Sequence, residues 1–179
     1  MIGIDRDTWT VSDALVFATA AHAAVGDVRK YTGEAYIVHP RQVHDVLVRV
    51  GITDVEMLAA ALLHDVVEMT QVSYLMLYGM FGMGVSELVR ELTPVSTKAD
   101  GSRAQRQLIE LEHLRTVSDR AQTIKLADIY SNCLTIAELD PEFAQVYLKE
   151  KADQIAVLTR GHPSLIALAK DVVGVEPSR

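Results

Sequence analysis

Ala, Leu, Val and Met recur along this chain at spacings of three and four residues, the pattern of helices that turn one apolar face inward. Alternating strand-like runs are scarce, so the reading is all-α. The pattern predicts helices near 11–25, 40–50, 54–69, 73–81, 84–92, 102–116, 118–139, 141–160 and 163–173. Pro40, Pro141 and Pro163 suit first helical turns, where the N–H that proline lacks has no intrahelical partner anyway. Gly51 and Gly161 suit helix ends. The longest polar break, Thr93–Ser102, contains Pro94, Lys98, Asp100 and Gly101. It reads as a loop and not a linker, because candidate site residues lie on both sides of it. A single domain over residues 1–179 is expected, without internal repeats.

Composition narrows the class. With 49% apolar and 23% charged residues, the chain can build one packed core and carries no sign of long disorder. No apolar run approaches the roughly 20 residues needed to span a bilayer, and the N-terminus has no signal-peptide pattern, so a cytoplasmic protein without a membrane partner is expected. The lone cysteine, Cys133, cannot form an internal disulfide, and nothing suggests a Cys-based zinc site. A net charge of −7 disfavours nonspecific nucleic-acid binding. A polyanionic ligand therefore requires a local cationic pocket or a metal.

The segment Ala59–Glu68 is a strongly apolar helical run interrupted by an adjacent imidazole and carboxylate, His64 and Asp65. Burying this pair costs desolvation unless something pairs with it, and a divalent cation suits both groups. Adjacent helical residues point about 100° apart, so the two share one metal only if other helices close around it. A surface His-Asp pair is the ordinary alternative. Two further segments bear on the choice. His39 stands just before Pro40, and Lys125, Asp128 and Asn132 fall along one face of an otherwise apolar helix.

The ordered segments Arg29-Lys30, Gly33–Pro40, Ala60–Glu68 and Ile124–Asp128 with Asn132 resemble the hydrolase domain of the Rel/Spo stringent-response enzymes. They are especially similar to the stand-alone small alarmone hydrolases, which belong to the HD-domain phosphohydrolases. The resemblance covers most of residues 15–140. It implies a compact helical HD fold and one divalent metal, commonly manganese, held by His39, His64, Asp65 and Asp128. It also implies a guanosine tetra- or pentaphosphate (ppGpp or pppGpp) substrate, from which water removes the pyrophosphate on the ribose 3′ oxygen to leave GDP or GTP. Arg29 and Lys30 match the family's nucleotide-contacting pair, and Asn132 matches a contact near the ribose. Lys125, one turn before Asp128, is positioned to face phosphate. Arg103 and Arg106 are read as ordinary surface charge. Tyr36 either packs beneath the nucleotide or serves as a core aromatic.

Several features depart from the family pattern. Many members carry Glu-Asp-Thr after the HD segment, where this chain has Glu68-Met69-Thr70. A thioether cannot accept a proton at neutral pH, so Glu68 is left as the candidate base or water-orienting group. A hydrogen-bond partner that fixes His64 is its other reading. Ala35 stands where proline is common, and the interval between His22 and Arg29 is longer than usual. Three outcomes are open: Glu68 suffices, the substrate differs, or turnover is lost while binding persists. Another nucleotide phosphohydrolase, such as a nucleotidase or a nicotinamide dinucleotide phosphate phosphatase, and a noncatalytic alarmone-binding regulator are therefore the alternatives. The apolar stretch Tyr74–Phe81, with Met76, Met80 and Met83, is expected to pack in the core. A homo-oligomer surface is its other reading. Because the sequence ends at Arg179, a bifunctional synthetase-hydrolase is not expected.

Overall fold

The computed structural model describes residues 9–174, and every regular element among them is helical. The chain divides into two compact units, residues 1–93 and 94–179, at the start of the polar break.

The first unit contains α1 (Val11–Ala24), α2 (Val38–Arg49), α3 (Val55–Leu63), α4 (Val66–Met69) and α5 (Tyr74–Leu92). Asp54 starts α3 by accepting from the backbone N–H groups of Glu56 and Met57. Ala59, Ala60, Ala61, Leu62 and Leu63 are all buried, so this helix has no solvent face along that run. Its alanines let α1, α2 and α5 approach from different sides. Phe81 of α5 meets Trp9 and Phe17 edge to face, with ring centroids 5.7 and 5.6 Å away.

Two helix boundaries in this unit differ from the sequence expectation. The run predicted over 54–69 breaks at His64-Asp65 into α3 and α4. The helices predicted over 73–81 and 84–92 join across a kink at Gly82, whose φ of 82° and ψ of 179° are accessible essentially to glycine alone. The same kinked helix corrects the reading of the methionines. Leu77 and Phe81 are buried, but Met76, Met80 and Met83 are exposed. Apolar residues here cover more than one helical face, so composition could not separate the inner face from the outer one.

The second unit contains α6 (Arg103–Thr116), α7 (Asp119–Cys133), α8 (Ile136–Leu139), α9 (Pro141–Val157) and α10 (Pro163–Val172). Its central helix, α7, packs against α8, α9 and α10. The predicted 118–139 helix is interrupted at Leu134-Thr135. Buried Gln122 is satisfied on both ends of its amide: its Nε2 donates to Leu114 O, and its Oε1 accepts from Arg160 N. Arg160 also donates to Asp119 and to the Val117 carbonyl, which ties the α9–α10 turn to the start of α7. His162 and Pro163 begin α10 as a helix-start pair, with His162 N donating to Thr123 Oγ1. Among the described residues, no helix is long and apolar enough to cross a membrane.

Two glycines make a paired test of this packing. A Cβ on Gly161 would collide with the buried Leu126 side chain and press on the Gln122 backbone at 3.3 Å, whereas one on Gly84 would meet only the flexible end of Glu56. Gly161→Ala is expected to lose about 1–3 kcal/mol in urea unfolding, as overpacking does. Gly84→Ala should be near neutral, because helix propensity offsets a small side-chain shift.

Candidate metal centre

His64 and Asp65 occupy the step between α3 and α4. Here the backbone leaves regular helix: Asp65 has φ −96° and ψ −8°. The break in regular helix thus falls at the two residues that carry the polar side chains. His64 Nδ1 lies 2.8 Å from Ala61 O, and a carbonyl can only accept, so Nδ1 carries the proton. In the neutral ring Nε2 then keeps its lone pair. It faces Asp65 Oδ2 at 3.2 Å.

His39 comes from the first turn of α2 and brings its Nε2 to 3.9 Å from the same Asp65 oxygen. The rings of His39 and His64 stand edge to face, 5.3 Å apart. Both imidazoles are buried, with 1% and 4% of their surfaces exposed. One ligand atom from each of His39, His64 and Asp65 lies within 4.8 Å of the others. Two imidazole nitrogens and a carboxylate oxygen crowded together in an apolar surround make a donor set suited to a divalent cation. Tyr36, just upstream of α2, donates its hydroxyl to Asp65 Oδ2 at 2.7 Å.

Arg29 and Lys30 sit on a short hairpin-like turn before α2. It is closed by a bridge between Val28 and Ala35 and by the hydrogen bond from Arg29 N to Glu34 O. The Arg29 guanidinium lies 5.9 Å from the Tyr36 ring centroid, and exposed Lys30 donates to Tyr31 Oη. Glu68 is exposed on α4, with Met69 exposed beside it.

The remaining predicted site residues lie in the second unit on α7. Asp128 is 5% exposed, which removes the option that this face is simply solvated. Lys125 Nζ donates to Asp128 Oδ2 at 2.9 Å, and Asn132 Nδ2 donates to Oδ1 at 2.7 Å. The i, i+3, i+7 spacing thus brings the three together as a polar line on an apolar helix. Cys133, also buried, has its thiol pushed up to about 11 by burial, so it stays protonated at neutral pH. Arg103 is held by a two-pronged bond to Glu150 at 2.6 and 2.7 Å, and Arg106 donates to Gly101 O.

One cation escaped the sequence reading. Lys151 on α9 donates to Gln154 Oε1 at 3.0 Å and lies over the Tyr147 ring. Its ammonium is brought down to about 8, first by burial and then by the charge of Lys125. The Leu148-Lys149-Glu150-Lys151 run looks like ordinary surface charge, and only the packing of α9 on α7 distinguishes Lys151 from Lys149.

Known proteins share this sequence pattern and fold. The HD-domain profile matches residues 14–158. A zebrafish protein named guanosine-3′,5′-bis(diphosphate) 3′-pyrophosphohydrolase MESH1 is 37% identical over 111 residues, 62% of this chain and 60% of that protein. The bifunctional (p)ppGpp synthase/hydrolase SpoT of Escherichia coli K12 is 36% identical over 129 residues, 70% of this chain but 18% of its own length. The chain thus spans less than two thirds of these relatives. A solved structure of a metazoan SpoT orthologue, described as hydrolysing ppGpp and acting in starvation responses, superposes with a TM-score of 0.82 at 29% identity. That superposition covers 90% of this chain and 92% of the other. A second structure, lmo0812 from Listeria monocytogenes, shares the fold at 24% identity with a TM-score of 0.64. With its profile match extending over most of its length, the chain belongs to the HD-domain family.

Proposed function

We propose that this protein is a metal-dependent guanosine polyphosphate 3′-pyrophosphohydrolase, converting guanosine tetra- or pentaphosphate to GDP or GTP and pyrophosphate. The observation that carries the reading is the convergence of His39, His64 and Asp65 on one point, within a chain similar to proteins named for this activity. Motif order supports Asp128 as the fourth ligand, within one HD-type domain, and manganese as the metal. When bound, such a cation supplies Lewis-acid polarisation of a phosphoryl oxygen and eases deprotonation of water.

The chain's own residues supply the rest. Ala61 O holds His64 in the tautomer that presents Nε2 as a ligand. Arg29 offers a flat guanidinium for stacking or bidentate phosphate contact, and Lys30 offers a compact charge. Lys125 and Asn132 supply a cation and an amide for phosphate and ribose. Lys125 and Lys151 repel each other inside an acidic protein, an arrangement that a bound polyphosphate relieves. Glu68, exposed on α4, takes the proton from the attacking water. Met69 gives a second reading its support: with a thioether where the family often has a carboxylate, the protein binds the alarmone without turning it over.

Purified protein with Mn²⁺ is expected to release pyrophosphate from guanosine tetraphosphate. Orthophosphate alone, released from other nucleotides, rejects the substrate, and alarmone affinity without turnover favours the second reading. His64→Ala should abolish metal-dependent activity. Glu68→Gln should keep the metal and slow turnover by on the order of 10²–10⁴-fold. Unchanged turnover in that variant removes Glu68 from the mechanism. Met69→Asp should raise the rate if the missing carboxylate limits water activation.

Lys151 generates a prediction for stability. A lysine whose pKa is depressed on folding binds fewer protons in the native than in the unfolded state between about 8 and its ordinary 10.5. Its charge-burial cost is complete below that window and disappears as pH rises through it. Lys151→Met should therefore raise the melting temperature at pH 7 by on the order of 2–4 °C. It should also flatten the rise in stability between pH 8 and 10.5, as measured by calorimetry.

A further inference from the structure

The turn between α1 and α2 holds a chain of contacts that the reaction above does not use. His22, at the end of α1, is 1% exposed, and its Nδ1 faces Asp27 Oδ2 at 3.1 Å. A carboxylate can only accept from the ring, so Asp27 fixes both the orientation of the imidazole and the proton on Nδ1. The flat face of that ring lies against Tyr36, with centroids 4.6 Å apart and planes tilted by 31°. Asp27 also holds Tyr36 directly, since Tyr36 N donates to Asp27 O at 3.3 Å. The far end of the tyrosine donates to Asp65 Oδ2, the oxygen that both His39 Nε2 and His64 Nε2 face.

An aliphatic side chain could fill the place of His22 without burying polar atoms, so packing alone does not account for an imidazole there. Its consequence lies at the other end of the chain of contacts. The Asp65 side chain sits at the broken step between two helices, where its own backbone constrains it less than a helix interior would. An O–H donor at a fixed point narrows the directions its carboxylate can take.

We propose that His22, clamped by Asp27, is a positioning residue that acts through Tyr36 to fix Asp65 in its metal-binding orientation. The proposal rests on the metal centre inferred above. His22 lies outside the group formed by His39, His64 and Asp65. The Tyr36 ring also stands edge to face with that of His39, 6.2 Å away, and Tyr36→Phe keeps that contact, so non-additivity isolates the route through the hydroxyl.

The test is a double-mutant cycle read by calorimetric titration of metal-free protein with Mn²⁺, with kcat and KM measured beside it. Tyr36→Phe deletes only the hydroxyl and is expected to weaken Mn²⁺ binding by about 10–100-fold, as loss of an outer-shell hydrogen bond does. His22→Phe keeps a stacked ring but loses the bond to Asp27, and should weaken binding in the same direction by about 3–10-fold. The H22F/Y36F double variant should bind no more weakly than Y36F alone. His22→Asn, whose amide can still donate to Asp27, should recover part of the loss. The kinetic effect is expected in kcat, with KM little changed.

Additive losses in the double variant, or wild-type Mn²⁺ affinity in H22F, overturn the proposal. If H22F fails to fold, Asp27→Asn on the turn carries the same cycle, and its additivity with Y36F has the same meaning. Wild-type protein that binds Mn²⁺ without releasing pyrophosphate rejects the alarmone reaction and leaves this cycle intact. Wild-type protein that binds no Mn²⁺ overturns the metal centre and the relay together.

Discussion

The packing of α3 constrains the rest of the candidate site. A helix with apolar side chains all round has to be enclosed, and small residues at Ala59, Ala60 and Ala61 allow its neighbours to close on it. The residues at the C-terminal end of such a helix are delivered to a fixed place in the interior. His64 and Asp65 occupy that end, so their polar atoms arrive where water cannot solvate them fully. A continuous helix would also aim them about 100° apart. α3 ends at Leu63 and α4 starts at Val66, and the Met69 N–H to Asp65 O bond restores helical pairing at once. The adjacent His-Asp pair becomes part of a shared donor set because α2 brings His39 to the same Asp65 oxygen.

Asp128 meets a related burial problem by different means. It sits within the unbroken helix α7, flanked by Ala127 and Ile129, both buried. Its oxygens are compensated along the helix axis, one by Lys125 a turn earlier and one by Asn132 a turn later. A cation and an amide of this kind satisfy the acceptor oxygens of a carboxylate in a poorly solvated place. Lys125 thus has a structural duty as well as a proposed substrate contact, and its removal would disturb the carboxylate along with any phosphate binding.

Much of this was legible in the sequence, for identifiable reasons. Helix positions emerged from apolar spacing and from the Asp, Ser, Thr or Pro residues at their starts. The grouping of His39, His64 and Asp65 came from motif order, and the Lys125–Asp128–Asn132 line from helical periodicity. What escaped depended on tertiary or backbone detail. The break at His64-Asp65 is marked by neither proline nor glycine. The gap predicted between helices over 73–81 and 84–92 is instead a kink at Gly82 within one helix. The methionines of α5 were misread because apolar character alone does not tell an inner from an outer face. Lys151 differs from Lys149 only in what α9 packs against. Tyr36 was left open between a core aromatic and a platform beneath the nucleotide, and it is a hydrogen-bond donor to Asp65.

Glu68 stands on a different part of the fold from the three residues gathered as a donor set. His39, His64 and Asp65 belong to α2 and to the α3–α4 step, both anchored by the buried core of the first unit. Glu68 and Met69 lie on the four-residue α4, and both are exposed. Substitution at residue 69 therefore costs little packing, so chemistry at that position can drift while the donor set stays intact. A chain that had lost its acidic pair would still fold and still gather His39, His64 and Asp65. Under the proposed reaction, metal binding would rest on the buried core and turnover on the exposed helix, so the two would be separable.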